Sequence, residues 1–145
     1  MKAYLGRRYR LSASHRLHTP ALTEARNREV YGKCANPHGH GHNYTVEVIV
    51  GGEIDAATGM VCNLAELDGC VEREVLEPFD HQNLNTLEAF QNRVPTTENL
   101  CIEVESRLRK ALPVELSLRV RVEETGKNFF EYRDQGWSAR WQERR

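Results

Sequence analysis

Four segments of the chain alternate apolar and polar residues, which is the pattern of half-buried β-strands. In the first segment the odd positions are mostly apolar, and in the second the even positions are tyrosine or valine. The four segments cover residues 4–15, 44–50, 116–122 and 129–132. This pattern predicts a four-stranded sheet with one face turned toward a core.

Two further segments repeat apolar residues at helical spacing. The first helix is expected to begin after Asn63, in a sequence that resembles a capping box, and to end before Pro78. The second begins near residues 95–97 and ends at Pro113. Residues 16–39 are expected to form a long loop, and such loops in compact domains are usually functional or disordered. The order predicts an α+β fold with two helices on one face of a mainly antiparallel sheet.

Size and charge narrow the class of protein. A length of 145 residues fits one domain, spanning residues 1–145. Twenty Lys and Arg against 21 Asp and Glu give a formal net charge of −1, which argues against nucleic acid as a partner. No apolar run reaches the roughly 18 residues of a membrane helix, and the first residues lack the apolar stretch of a signal peptide. We therefore expect a soluble cytoplasmic protein with no membrane partner.

Histidines near two predicted strand ends form a candidate metal site. Residues two apart in an extended strand project to the same side, so His40 and His42 can share an ion while Gly41 leaves room. His15 lies on the apolar face of another strand and offers a third imidazole. Three imidazoles with an open fourth position are typical of catalytic zinc. A surface histidine cluster is the alternative, and the additional His38 leaves open which histidines pair.

Three other places carry candidate chemistry. Cys34 lies in the long loop and could act as a base or nucleophile, as a zinc ligand, or as a small buried hydrophobe. Asp80 and His81 place a carboxylate beside an imidazole in the loop between the helices. Glu124 continues the apolar parity of the third strand, where it could bind the donor-rich edge of a heterocycle or lie exposed at a strand end.

Seven stretches of sequence, in order, resemble the family of 6-pyruvoyltetrahydropterin and 6-carboxytetrahydropterin synthases. They are residues 12–17, 32–44, 53–61, 63–67, 80–85, 96–99 and 122–125. The resemblance implies the tunnelling fold (T-fold), in which subunits join their four-stranded sheets into a barrel. It also implies a homo-oligomer, commonly a hexamer of two stacked trimers, with active sites between subunits.

The resemblance implies a role for each candidate residue. The implied ligands of Zn²⁺ are His15, His40 and His42. The implied proton acceptor is Cys34, and the implied proton relay is formed by Asp80 and His81. Glu124 is implied to anchor the pterin, and the residues implied to lie near the pterin pocket are Thr96, Thr97 and Glu98. The implied enzyme is a zinc-dependent lyase that converts 7,8-dihydroneopterin triphosphate to 6-pyruvoyltetrahydropterin and triphosphate.

Two alternatives stay open. The first is 6-carboxytetrahydropterin synthase of queuosine and deazapurine biosynthesis, which uses the same substrate. The interval of five residues between Cys34 and His40 resembles that of the pyruvoyl-forming branch of the family, and this resemblance favours the pyruvoyl product. The second is a noncatalytic zinc-binding module in which Cys34 completes a closed four-ligand site.

Overall fold

A mixed five-stranded sheet organises the computed structural model, which describes residues 1–133. The strand order is β3-β1-β2-β4-β5, and all neighbours are antiparallel except β1 and β3. The strands are β1 (Lys2–His15), β2 (His40–Glu53), β3 (Gln82–Asn83), β4 (Ser117–Thr125) and β5 (Asn128–Arg133). The four predicted strands correspond to β1, β2, β4 and β5, and the two-residue β3 adds an unpredicted fifth. Residues 134–145 of the predicted domain lie outside the described residues.

The predicted helices are present, but one of them extends further than expected. The helices are α1 (Glu24–Tyr31), α2 (Leu64–Val71), α3 (Glu77–Phe79) and α4 (Thr97–Ala111), and a π-helical turn (Glu72–Leu76) joins α2 to α3 without a break. The prediction that the helix ends before Pro78 is therefore wrong. The π-helical turn shifts the backbone hydrogen bonds, as in the bond from Glu77 N–H to Glu72 O, and thereby accommodates a proline that has no N–H.

The predicted long loop at residues 16–39 contains α1 and a 3₁₀ turn (Gly32–Ala35), so the two-helix prediction is also wrong. The buried Asn27 organises this segment. Its side-chain oxygen accepts a hydrogen bond from Thr19 N–H, and its amide nitrogen donates to the carbonyls of Thr19, Leu22 and Thr23. Because Asn27 is the buried residue of α1, this helix has no apolar stripe from which it could be predicted.

The core lies between one face of the sheet and the helices α2 and α4. Val46, Val48 and Val50 of β2 are fully buried there, and each contributes roughly 1.5–3 kcal/mol by leaving water. Cys70 and Cys101 are buried in the core, and Cys62 packs against it. Among the described helices, none is both long and apolar enough to cross a bilayer.

Candidate active site and metal centre

The pairing of β1 with β2 brings three histidines to one end of the sheet. His15 lies opposite His40, and Ala13 lies opposite His42, so their shared parity turns the imidazoles to the core face. The candidate ligand atoms of His15, His40 and His42 all lie within 4.8 Å of one another. The Nε2 atoms of His15 and His40 are 3.2 Å apart. The additional His38 is exposed and lies outside the cluster, so the geometry favours His40 and His42 as the pair.

A close backbone approach holds the two strand ends together beside the cluster. Gly39 adopts a φ of +67°, and a Cβ atom added there would lie 2.8 Å from the carbonyl oxygen of His15. Both the left-handed conformation and the lack of space require glycine at this position.

Two groups that sequence reasoning missed orient the His15 ring. Its Nδ1 lies 2.8 Å from the carbonyl oxygen of Pro95, which can only accept, so Nδ1 carries the proton and Nε2 keeps its lone pair. The Tyr44 hydroxyl lies 3.4 Å from the same Nδ1, and the Tyr44 ring packs against His42. Tyr44 shares the parity of His40 and His42, which could have revealed it. A backbone carbonyl leaves no comparable signal in the sequence.

The electrostatics of the cluster suit a bound cation. Burial is the largest effect on the pKa of His15 and of His42, and it lowers both below the usual value, which favours neutral rings. The buried His42 Nε2 has no hydrogen-bond partner within residues 1–133. Neutral imidazoles with a buried, unpaired nitrogen are the donor set that a divalent metal such as zinc prefers. The residues present therefore fit a metal ion.

Glu124 of β4 lies beside the cluster, on the face that its parity predicts. Its Oε1 is 3.4 Å from His42 Nε2 and 3.8 Å from His15 Nε2, while its Oε2 accepts a hydrogen bond of 3.0 Å from Asn128 Nδ2. Burial raises the pKa of Glu124, but the Asn128 bond, the Thr97 hydroxyl and the histidines outweigh it and lower the pKa below the usual value. The Thr97 hydroxyl does not form a hydrogen bond with Glu124. The site thus holds an ionised carboxylate.

Cys34 lies in the 3₁₀ turn, half-buried, with its backbone carbonyl bound to Leu17 N–H at 2.8 Å. Burial raises the pKa of its thiol, and the negative charge of Glu124 raises it further. Within the described residues, only the three histidines form a metal-ligand group of three or more His, Cys, Asp or Glu side chains. Cys34 is therefore near the site without belonging to that group.

Asp80 and His81 pair with each other at the outer edge of β1. The His81 Nδ1 lies 3.0 Å from Asp80 Oδ2, Ser12 N–H donates to Asp80 Oδ1 at 2.8 Å, and His81 N–H donates to Ser12 O at 2.6 Å. The bond from Ser12 is the main cause that lowers the pKa of Asp80. Ser12 precedes His15 by three residues, or about 10 Å of strand. The structure forms this pair, but none of its hydrogen bonds or ion pairs reaches the histidine cluster.

The residues at the start of α4 occupy three different environments. The Thr96 hydroxyl caps the helix by accepting from Asn99 N–H, whereas Thr97 is buried beside Glu124. Glu98 is exposed on the first turn. Thr97 is therefore the member of this trio that the structure places against the site.

The fold and the cluster define an α+β protein with a three-histidine site suited to a metal. The profile of the family described as 6-pyruvoyl tetrahydropterin synthase matches residues 4–135. This chain belongs to that family, as its motifs predicted.

Individual relatives agree with this assignment. The 6-pyruvoyl tetrahydrobiopterin synthase of Poecilia reticulata is 49% identical over 131 residues, which cover 90% of this chain and 89% of the relative. The solved structure of Caenorhabditis elegans 6-pyruvoyl tetrahydropterin synthase has a TM-score of 0.88 and 40% identity, covering 93% of this chain and 97% of that chain. A putative 6-carboxy-5,6,7,8-tetrahydropterin synthase of Archaeoglobus fulgidus is 40% identical over 95 residues, or 65% of this chain and 75% of that protein.

Proposed function

We propose that this chain converts 7,8-dihydroneopterin triphosphate into 6-pyruvoyltetrahydropterin and triphosphate. The observation that carries the proposal is the meeting of three histidines with an ionised Glu124, in a chain of the 6-pyruvoyl tetrahydropterin synthase family. Oxidation of the substrate side chain is balanced by reduction of its pterin ring, so the reaction needs no nicotinamide or flavin.

His15, His40 and His42 would hold a zinc ion in this enzyme. The ion would supply Lewis-acid stabilisation of negative charge on the oxygens of the substrate side chain. The carbonyl of Pro95 keeps the His15 proton on Nδ1, so that Nε2 faces the ion.

Cys34 would remove the carbon-bound proton as a general base. Burial and Glu124 both raise the pKa of the free thiol, so the thiolate requires a compensating positive charge nearby. The half-buried turn that holds Cys34 restricts its access to water.

Glu124 would anchor the pterin through the two N–H donors of its guanidine-like edge. Its low pKa keeps the carboxylate ionised, and bonds of this charge-assisted kind are stronger than neutral ones. The buried Thr97 hydroxyl beside it has no hydrogen-bond partner in the described part of the chain, and it would contact the same ring.

A second copy of the chain would supply the Asp80–His81 relay. In one copy the pair is exposed at the edge of β1, and the sheet, as described, ends at β3 on one side and β5 on the other. Strand edges left open in this way can pair with another subunit. We therefore propose the barrel-forming homo-oligomer of the T-fold, a cytoplasmic hexamer of two trimers.

Product analysis tests the proposed reaction. Zinc-loaded protein is incubated with 7,8-dihydroneopterin triphosphate, and the products are identified by mass. We expect triphosphate and 6-pyruvoyltetrahydropterin. The match to the archaeal 6-carboxy protein supports one rival product. Acetaldehyde in equal yield with 6-carboxytetrahydropterin would establish that rival and exclude ours.

The variant Cys34→Ala tests whether the protein is an enzyme or a structural zinc-binding module. As a general base, Cys34 can be lost without loss of zinc or fold, while turnover falls by roughly 10²-fold or more. Loss of zinc together with unfolding would instead show that Cys34 completes a closed structural site.

A further inference from the structure

We propose that Asn99 positions the metal ligand His15 by holding the turn that carries Pro95. Asn99 belongs to the motif of residues 96–99, and the proposed function gives it no role. The inference rests on the proposed function only for the identity of the metal. It makes Asn99 a positioning residue, which acts through the backbone of a neighbouring turn rather than as a ligand.

Residues 94–96 form a γ-turn directly before α4. Thr96 N–H donates a hydrogen bond of 2.8 Å to Val94 O, and a bond between residues two apart defines such a turn. The central residue of the common inverse form has a φ of about −75°, which is close to the value that the proline ring imposes. Because this bond uses the carbonyl of Val94, the buried Pro95 keeps its own carbonyl for Nδ1 of His15, 2.8 Å away.

The side chain of Asn99 holds this turn from the first turn of α4. Its Nδ2 donates to Val94 O at 2.8 Å, so that carbonyl accepts two hydrogen bonds, one from the γ-turn and one from the helix. The Asn99 N–H donates to the Thr96 hydroxyl at 3.2 Å, which ties the same two segments a second time. Rotation of the γ-turn would break these bonds, so they fix the direction in which the Pro95 carbonyl points.

An amide at position 99 serves the γ-turn, whereas the helix alone would favour an acid. Asn99 is the third residue of α4, where Glu or Gln commonly accepts a hydrogen bond from the N–H of the capping residue. Here that N–H, which belongs to Thr96, is bound to Val94 O instead. A carboxylate suits the positive end of the helix dipole but has no N–H to donate. The bond to the γ-turn therefore accounts for an amide at this position.

Loss of this bond should weaken the metal site although every ligand is still present. The acceptor on the second ring nitrogen fixes the tautomer and orientation of a histidine ligand, and removal of such a partner typically costs about 10–100-fold in metal affinity. For His15 that acceptor is the Pro95 carbonyl. Asn99 acts one step further out, through the acceptor, so we expect an effect at the lower end of this range.

Zinc titration of the metal-free protein, in competition with a chromogenic chelator, tests the inference in the absence of substrate. Asn99→Asp should bind Zn²⁺ about tenfold more weakly than the wild-type protein. The added negative charge attracts a cation and favours the start of the helix, so the charge itself cannot explain weaker binding. Equal zinc affinity of the two proteins would overturn the inference.

Asn63→Ala is the matched control for a purely structural role. Asn63 also stabilises the start of a helix, because its side-chain oxygen accepts from Ala65 N–H and Glu66 N–H in α2, and neither bond involves the histidine cluster. This variant should lower the urea midpoint and keep the zinc affinity of the wild-type protein. A loss of zinc affinity as large as that of Asn99→Asp would show that general destabilisation weakens the site, and it would contradict the inference.

NMR of the imidazole nitrogens in the metal-free protein reads the His15 ring directly. The wild-type ring should carry its proton on Nδ1, which faces the Pro95 carbonyl. Asn99→Asp should move part of the population to the Nε2 tautomer, and Asn99→Ala should do the same if the acid fails to fold. An unchanged tautomer would contradict the inference.

Triphosphate release by the zinc-loaded wild-type protein is assayed separately. If the wild-type protein releases triphosphate and Asn99→Asp binds zinc with equal affinity, the proposed function is retained and this inference is lost. If the wild-type protein releases none and Asn99→Asp binds zinc more weakly, the inference is retained and the proposed function is lost.

Discussion

Two of the regions in which the chain places histidine beside carboxylate differ in almost every respect. Inside, His15 is 1% exposed and lies with His42 against Glu124. Outside, the His81 side chain is 82% exposed and pairs with Asp80 at a sheet edge. Burial lowers the pKa of His15 and His42 and favours neutral rings, whereas the His81 ring lies in solvent. The comparison teaches that one chain assembles the three-histidine cluster by itself, whereas it leaves the Asp80–His81 pair at the edge of the sheet, away from that cluster.

Removing an inner histidine should have the largest effect. His40→Ala takes one of three nitrogens from the site, and we expect metal affinity to fall by more than the roughly 10–100-fold that follows loss of an outer-shell partner. His38→Ala is the control, because His38 is exposed outside the cluster, and it should keep its metal. Metal content after dialysis measures both. Full retention by His40→Ala, with loss in His38→Ala, would reverse the assignment.

Removing the outer histidine should leave the metal bound and abolish most turnover. His81→Ala is expected to lower turnover by roughly 10²–10⁴-fold, as for loss of a general acid–base group. Cys34→Ala should be similarly inactive, since each variant lacks a different member of one site.

Mixing these two variants tests whether the relay comes from a second copy. After co-refolding in equal amounts, roughly a quarter of the sites should combine an intact Cys34 with an intact His81 from the neighbour. Turnover of the mixed protein should recover accordingly. If the mixture stays as inactive as its components, both residues act within one chain.

Substitution at the junction of β1 and β2 should disturb the inner site to a smaller degree. In Gly39→Ala the added Cβ would require a strained positive φ and would lie too close to the His15 carbonyl oxygen. We therefore expect a loss of about 2–4 kcal/mol of unfolding free energy, with weaker metal binding. Gly59→Ala has a similar φ of +72° but nothing within 4 Å, so it should lose only about 1–2 kcal/mol and keep its metal. Urea unfolding and metal titration compare the pair. Equal effects would show that the close approach is unimportant.

The smallest expected effect concerns a carboxylate that serves neither region. Asp68 accepts hydrogen bonds from Arg7 and Tyr9, with Arg7 the main cause, and its pKa is lowered from 3.8 to about 2. A carboxyl group whose pKa is lowered by folding stabilises the fold at pH values above its ordinary pKa. This stabilisation is lost as the pH falls from about 4 to about 2. Asp68→Asn should therefore lower stability slightly at pH 7 and match the wild-type protein near pH 2. Urea midpoints across this range provide the check, and a constant difference would exclude this linkage.

Much of the inner site could be predicted because strand parity is a local property of the sequence. His15, His40, His42 and Glu124 follow the apolar positions of their strands, and antiparallel pairing then brings them together. The family was predicted from motifs that span most of the chain, and it is confirmed.

The remaining features depend on contacts that no periodicity records. Helix α1 is built around the buried, polar Asn27, and β3 is two residues long, so neither leaves an apolar pattern. The hydrogen bond from His15 to Pro95 uses a backbone carbonyl, which every residue possesses. The distance between the Asp80–His81 pair and the histidines could be predicted only by knowing where the edge of the sheet lies.

The π-helical turn between α2 and α3 allows this helix to lose one residue without rotating the segment that follows. The hydrogen bond from Glu77 N–H to Glu72 O spans five residues, and deleting one residue between them would convert it to the four-residue bond of an α-helix. Phe79 would still face the core, but Pro78 would then lie inside a regular α-helix, where its ring meets the carbonyl four residues earlier. In the course of evolution a deletion in this segment would therefore be opposed at Pro78 and not by the orientation of the core residues.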